Sequence, residues 1–176
     1  MTTGLYLSAT SPNSGKSLIA LGLADSLIKR ADRVGFFRPV FDGATIADDP
    51  MARLIREHFG LTEEQVGGAV SMNDALALIA EGDTEEISSR AVSAYEKVAA
   101  NSDVVIVDGA YLPANALSVE FDLNVQIARD LGLPVVAIVG AQEATVEEAV
   151  TAVDVARTEL TASKADLLAV IVNRAE

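Results

Sequence analysis

"SATSPNSGKSLIALGLADSL", Ser8 to Leu27, is the stretch on which the fold turns. It closes a short apolar run, carries Gly15-Lys16-Ser17 and opens into an apolar helical pattern. A phosphate-holding loop needs this order: a strand, a tight turn rich in backbone N–H groups, then Lys and Ser or Thr where a helix starts. The backbone and the helix dipole hold phosphate oxygens, the lysine neutralises the outer phosphates, and the hydroxyl reaches Mg²⁺. Gly15, Lys16 and Ser17 fit the last three positions, with Ser17 on the metal side. Asn13 and Ser14 can take turn conformations, though less freely than glycine. Ala9 and Thr10 stand where a glycine would relieve crowding. The competing reading is an ordinary strand-to-helix turn with Ser14 or Ser17 near the cap.

Outward from this loop the chain alternates strands and helices. Short, continuously apolar runs at Leu5–Leu7, Val34–Phe37, Val104–Val107, Val135–Val139 and Leu167–Val172 read as parallel strands covered on both faces. Helical patterns lie between them. Ser17–Lys29 has a stripe through Leu18, Leu21 and Ile28. Glu85–Ala100 has Ile87, Ala91, Tyr95 and Val98. Ser118–Leu131 has Phe121, Val125, Ala128 and Leu131, and Val146–Leu160 has Val146, Val150, Val153 and Leu160. Alternation of this kind implies right-handed crossovers and a parallel sheet with helices on both faces. Residues 39–70 break the rhythm. Asp49-Pro50 reads as an N-cap followed by proline at the first helical position, opening a short helix in "MARLIREHFG". Beyond it, "LTEEQVGGAVSMNDALALIAEGD" is weakly patterned, as loop or lid insertions are. No linker divides the chain, so one domain over residues 1–176 is expected. The final strand has no covering element after it, which points to an N-terminal piece of a longer chain.

Further candidates lie at strand ends. "DVVIVDG", Asp103–Gly109, is an apolar strand closing on an acid, and Asp108 could hold Mg²⁺ through water beside the phosphate loop. The plainer reading is a turn cap before Gly109. In "FFRPVFDG", Phe36–Gly43, Arg38 could clamp phosphate or carboxylate at the sheet edge, or be a surface arginine packing its stem. Asp49 could approach a metal, although capping suffices to explain it. "VNRAE" resembles an Asn-Lys-x-Asp base-reading motif with Arg and Glu in place of Lys and Asp. Asn173 could therefore touch a purine base or simply form a turn.

Composition removes several classes. Half of the 176 residues are hydrophobic, so the chain is globular. A net charge of −13 with scattered basic residues argues against a nucleic-acid partner. No apolar run is long enough for a membrane helix, and "MTTGLYLS" is not a secretory signal. With no cysteine there are no disulfides and no thiolate sites. His58, the only histidine, sits before Gly60 at the end of a short helix, where the dipole favours it. These absences fit a cytoplasmic protein.

The three stretches "SATSPNSGKS", "RPVFDG" and "VDGA", in this order, resemble the dethiobiotin synthetase superfamily. Within it, "LNVQIARDLGLPVVAIV" and "LLAVIVNR" resemble the N-terminal domain of long-form bacterial phosphate acetyltransferase. The resemblance implies an α/β fold: a P-loop NTPase-like parallel sheet, dethiobiotin synthetase-like. It implies that the parent enzyme interconverts acetyl-CoA plus phosphate with acetyl phosphate plus CoA, while this domain regulates it or supports its oligomer. It implies phosphate contacts from Gly15, Lys16 and Ser17, with Ser17 and Asp108 near Mg²⁺ and Asp49 matching a metal-approaching acid. ATP or another nucleotide with Mg²⁺ would be the cofactor, and the rest of the parent chain and further copies the partners. The alternative is an ATP- and Mg²⁺-dependent ligase of the synthetase type. Two departures weigh against it: Arg38 replaces that family's lysine, and Tyr111-Leu112 replace its glycines. A purely structural assembly module is the third reading. Chromosome-partitioning ATPases, with a second lysine where Ser11 stands, fit less well.

Overall fold

The computed structural model describes residues 3–11, 13–113 and 116–175. Among these residues six strands form one sheet: β1 (Thr3–Ala9), β2 (Val34–Phe41), β3 (Val66–Ser71), β4 (Val104–Asp108), β5 (Val135–Gly140) and β6 (Leu167–Asn173). Their order is β3-β2-β4-β1-β5-β6, and every pairing is parallel. The helices are α1 (Lys16–Ile28), α2 (Pro50–Phe59), α3 (Met72–Glu81), α4 (Thr84–Ala99), α5 (Leu117–Asp130) and α6 (Val146–Ala162).

The central strands are apolar on both sides because both sides are covered. On one face Leu7, Phe36, Ile106 and Ile138 pack under α1 and α2, where Ala20, Ala24, Ala52 and Ile55 are buried. On the other, Tyr6, Phe37, Val105, Val107 and Ala137 pack under α3, α4, α5 and the Leu160 end of α6. Each large side chain so covered contributes about 1.5–3 kcal/mol relative to exposure.

Several sequence expectations need correction. Arg38 and Pro39 do not follow β2; they lie inside it, and all eight strand residues are buried. Proline is tolerated because β2 has passed its last pairing with β4, Phe37 opposite Val107. The weakly patterned insertion holds a sheet strand, β3, and the helix α3. The strand escaped notice because "VGGAVS" lacks bulk: a Cβ at Gly67 would overlap the Val98 side chain of α4. The α1 stripe also differs from expectation. Small Ala20 and Ala24 face the sheet and let the helix approach closely, while Leu18 is 67% exposed. In α6 the buried residues are Ala156 and Leu160, and Val146 and Val150 are exposed.

The strand order fixes where a ligand can enter. β1 and β4 are neighbours, yet the helix after β1 covers one face and the helix after β4 the other. Adjacent strands whose connections diverge leave a crevice at their C-terminal ends. In that crevice lie the loop after β1 and Asp108 at the end of β4.

Candidate functional site

The loop after β1 is tied down from both sides. The Thr10 N–H donates to the Ile138 carbonyl at 3.0 Å, and its hydroxyl turns to the same oxygen at 3.4 Å. Thr10 is thereby bound to β5, not directed at the crevice. Gly15 occupies the left-handed region (φ 81°, ψ 22°) at the N-cap of α1. The position demands glycine twice over, because a Cβ there would also overlap Asn173 Nδ2. That amide donates to the Ser14 carbonyl at 2.8 Å. Asn13 is also left-handed, at φ 58°, a conformation asparagine accepts better than most residues. Asn13, Ser14, Gly15, Lys16 and Ser17 all line one cavity of about 530 Å³, together with Arg38, Asp42, Asp108, Tyr111 and Arg174.

Two cations and two acids form a buried chain beneath that cavity. Lys16 Nζ lies 2.6 Å from Asp108 Oδ1 and donates a hydrogen bond to the Gly109 carbonyl. Arg38 Nε lies 3.4 Å from Asp108 Oδ2, and Arg38 Nη1 donates to Asp49 Oδ2. Asp49 is fully buried. It accepts from the Asp42 N–H and, as N-cap of α2, from the Ala52 N–H, both at 2.8 Å. Burial draws the Arg38 guanidinium pKa down, but Asp108 and Asp49 outweigh it and hold the group above its ordinary value. Burial pushes the Asp49 carboxyl up, and the bonds from Arg38 and the two backbone N–H groups bring it below the usual range. Both groups are therefore charged at neutral pH.

Behind Asp108 a second network fixes the outgoing chain. The Tyr6 hydroxyl donates to Asn124 Oδ1 at 2.6 Å, and Asn124 Nδ2 donates to the Ala110 and Glu120 carbonyls at 3.0 and 2.9 Å. The Leu112 N–H donates to Glu120 Oε2 at 2.6 Å. Burial raises the Tyr6 phenol well above its ordinary pKa and also raises the Glu120 carboxyl. Reasoning from sequence passed over Tyr6, Glu120 and Asn124. Only Asn124 left a signal: one amide in the apolar stripe of "LNVQIA", 1% exposed. A polar residue on a buried helix face must be bonded to something specific.

The sequence candidates thus divide. Gly15, Lys16, Ser17, Arg38 and Asp108 share the cavity; Asn173 braces the loop; Thr10 and Asp49 stand behind it. His58 is exposed on the last turn of α2, against Phe59. Glu176, the last residue of the base-motif resemblance, lies outside the described residues.

A metal fits this arrangement in one specific way. Among the described residues no cluster of three or more His, Cys, Asp or Glu could hold an ion by itself. Arg38 Nε and Asp108 Oδ1 are, however, buried without a well-oriented hydrogen-bond partner. One buried carboxylate beside a cavity-lining hydroxyl suits Mg²⁺, which keeps several waters and takes its remaining ligands from substrate phosphates.

A family model described as AAA domain matches residues 3–176. The chain belongs to the AAA domain family. The domain is 29% identical to the phosphate acetyltransferase of Synechocystis sp., across 100% of this chain and 26% of that protein. It is 31% identical to the phosphate acetyltransferase of Nitratidesulfovibrio vulgaris, across 99% of this chain and 25% of that protein. It therefore spans about a quarter of the length of these curated relatives. Among solved structures, the 54 kDa signal recognition particle protein of Aeropyrum pernix in complex with GDP aligns with a TM-score of 0.58 at 17% identity, over 99% of this chain and 42% of that one. The cell division protein FtsY of Thermotoga maritima aligns at 0.57 and 15%, over 98% and 52%. At such identities the likeness establishes the fold of this AAA domain, a P-loop NTPase-like α/β sheet, and nothing finer.

Proposed function

We propose that this AAA domain binds a nucleotide with Mg²⁺ and acts as a regulatory domain of a phosphate acetyltransferase. Acetyl transfer between CoA and phosphate then belongs to the remainder of a longer, oligomeric cytoplasmic protein. The observation that carries the reading is the position of Lys16. It is the first residue of a helix, follows a left-handed glycine, and lies against the acid that ends the neighbouring strand. Backbone N–H groups and the helix dipole at that point attract phosphate oxygens.

In this reading Gly15, Lys16 and Ser17 hold phosphate, with Asn13 and Ser14 forming the turn that Thr10 ties to β5. Ser17 and Asp108 stand nearest the metal, and Asp49 supports them through Arg38. Arg38 would be free to meet phosphate where Asp108 serves the metal, and Asn173 would face the base side. The metal would screen the outer phosphates from the acids. Similarity along the whole of this chain to about a quarter of the length of the phosphate acetyltransferases favours regulation of that enzyme over an independent ligase. Tyr111 on the cavity wall, where a ligase would bring substrate close to backbone, favours it too.

Mg-ATP is expected to raise the melting temperature of the chain, because a ligand that binds only the folded state stabilises it by about 2.7 kcal/mol at 100 times Kd. Lys16→Ala should abolish the shift. Identical melting of both proteins across millimolar nucleotides would refute binding and leave the assembly role. ADP release dependent on a diamine and bicarbonate would instead establish the ligase.

A further inference from the structure

Helix α2 separates two cavities. Pro50 and Met51 line the one around the loop after β1, whereas Ala52, Arg53 and Arg56 line a second of about 180 Å³. The second is largely apolar: Ala52 is buried, and Ile46, Ala47 and Val66 complete the lining. Two 3-10 turns, Ile46–Asp48 and Glu63–Gln65, supply residues to it, and both are braced. Asp48 Oδ2 accepts from the Thr45 N–H and hydroxyl, each at 2.9 Å. Gln65 Oε1 accepts from the Thr62 N–H at 2.9 Å, and its Nε2 donates to the Val34 carbonyl of β2 at 3.2 Å. Asp49 fixes the start of α2 through the Ala52 N–H. The walls are thus set in place before any ligand arrives, as in preformed small-molecule sites.

The two arginines are poorly paired. Arg53 and Arg56 are three residues apart on α2, so they are neighbours on its surface and repel each other. The helix dipole accounts for Arg56 in the last turn, but not for Arg53. Arg56 Nη1 lies 3.6 Å from Glu63 Oε1, too far for a hydrogen bond, and the Glu63 side chain is 88% exposed. Arg53 makes no ion pair and no side-chain hydrogen bond among the described residues. The acid that feels its charge, Asp48, is held low first by the bonds from Thr45 and only last by Arg53.

We propose that this cavity is a second binding site, for a small monocarboxylate with a compact apolar body. The carboxylate lies between Arg53 and Arg56, and the body rests on Ile46, Ala52 and Val66. A guanidinium fork matches a carboxylate in shape as well as charge. An apolar cavity of about 150 Å³ admits benzene, so this one has room for a ring or a branched chain. Glu63 beside two guanidiniums leaves a single positive charge, which suits a monoanion and opposes a dianion. The site is independent of the nucleotide reading and shares only α2 with that cavity.

The test follows backbone amide shifts of the ¹⁵N-labelled chain during titration with benzoate, benzamide, acetate and inorganic phosphate. Benzoate should saturate with a Kd on the order of 1 mM and move the amides of Ile46, Ala52 and Val66. Benzamide has the body without the charge and acetate the charge without the body, so each should bind about tenfold weaker or worse. Arg53→Gln and Arg56→Gln should each weaken benzoate about fivefold, and Glu63→Gln should tighten it about twofold. Ala47→Leu fills the cavity and should abolish binding. Ala47, Arg53 and Glu63 are exposed, so their variants keep the fold, which melting checks. Benzamide binding as tightly as benzoate would overturn the proposal and leave an apolar crevice. Phosphate binding as tightly would overturn it and leave a surface anion patch. No saturable response of the wild type up to about 20 mM benzoate would overturn it outright. Lys16→Ala should leave benzoate binding unchanged, so this site and the nucleotide site stand or fall separately.

Discussion

Replacing Asp49 tests whether the ion chain under the cavity holds the domain together. Asp49 is fully buried, caps α2 through the Ala52 N–H, and takes a hydrogen bond from Arg38, which is itself 8% exposed. In Asp49→Ala the lost cap costs about 1 kcal/mol. Leaving a partner charge buried costs about 3–5 kcal/mol, and the lower end applies because Asp108 remains 3.4 Å from Arg38. The sum is about 4 kcal/mol, or a fall in Tm of roughly 12 °C for a chain of this length. Urea unfolding followed by far-UV circular dichroism measures it, since the chain has no tryptophan to report. Asp49→Asn in the wild type should cost about 3 kcal/mol, but under about 1 kcal/mol when Arg38 is already methionine. The pH dependence has a definite sign. The folded carboxyl lies below its ordinary 3.8, so its contribution is whole above that value and lost as pH falls through the folded pKa. The gap between wild type and Asp49→Ala should hold steady from pH 7 to pH 5 and close only below about 3.8. A cost under about 1.5 kcal/mol for Asp49→Ala, or an Asp49→Asn cost equal in both backgrounds, refutes the coupling.

Three further outcomes follow from the same geometry. Gly15→Ala must hold a left-handed φ of 81° against Asn173 Nδ2, so it should lose at least about 2 kcal/mol and any thermal response to nucleotide, measured by melting with and without Mg-ATP. Glu120→Gln keeps an acceptor for the Leu112 N–H and removes a carboxylate that burial raises. It should be up to about 1 kcal/mol more stable at pH 7, with the advantage fading as pH falls toward 4.5, in melts across pH 5–8. Asp108→Asn releases Lys16 and Arg38 together, so calorimetry in EDTA should find metal-free ATP bound tighter than by the wild type and little gained on adding Mg²⁺.

Strands β1, β2, β4 and β5 were legible because burial on both faces writes an unbroken apolar run into the sequence; β6 carries the same run although Leu168 and Val172 are exposed. β3 was not, since Gly67 and Gly68 yield their volume to neighbours from α4, β2 and the 3-10 turn at Ile46–Asp48. The helix after it did leave end signals: Ser71 accepts from the Asp74 N–H, and Gly82 closes α3 in the left-handed region. The weak apolar pattern between them hides the helix. Of the site, the residues adjacent in sequence were readable, because loop, lysine and hydroxyl must be consecutive to work. Asp108 was readable too, as an acid closing an apolar strand, but the ion pairs that join these residues were not. Arg38 looked as much like a surface arginine as a clamp, and only the register of β2 beside β4 brings it to Asp108. Asn124 and Tyr6 meet across 118 positions of sequence.

The ion chain also explains why the acids and cations of this crevice have to be considered as one unit. Lys16, Arg38, Asp49 and Asp108 sum to zero charge, and both cations of the chain are held by an acid. A bare polyphosphate would have to take the cations and leave two carboxylates buried, one of them fully so, which is the costly half of breaking a buried pair. A metal–polyphosphate complex would avoid that penalty, since Asp108 would keep a cationic partner and Lys16 an anionic one. The network is closed with no ligand present, and under the proposed binding the same exchange would give a second electrostatically satisfied arrangement. Asn173 bonds the Ser14 carbonyl at the end of β6, so rearrangement of the loop is felt in the strand next to it. On the proposed function, such an exchange beside a strand end fastened to the loop is what a sensor of metal–nucleotide would need.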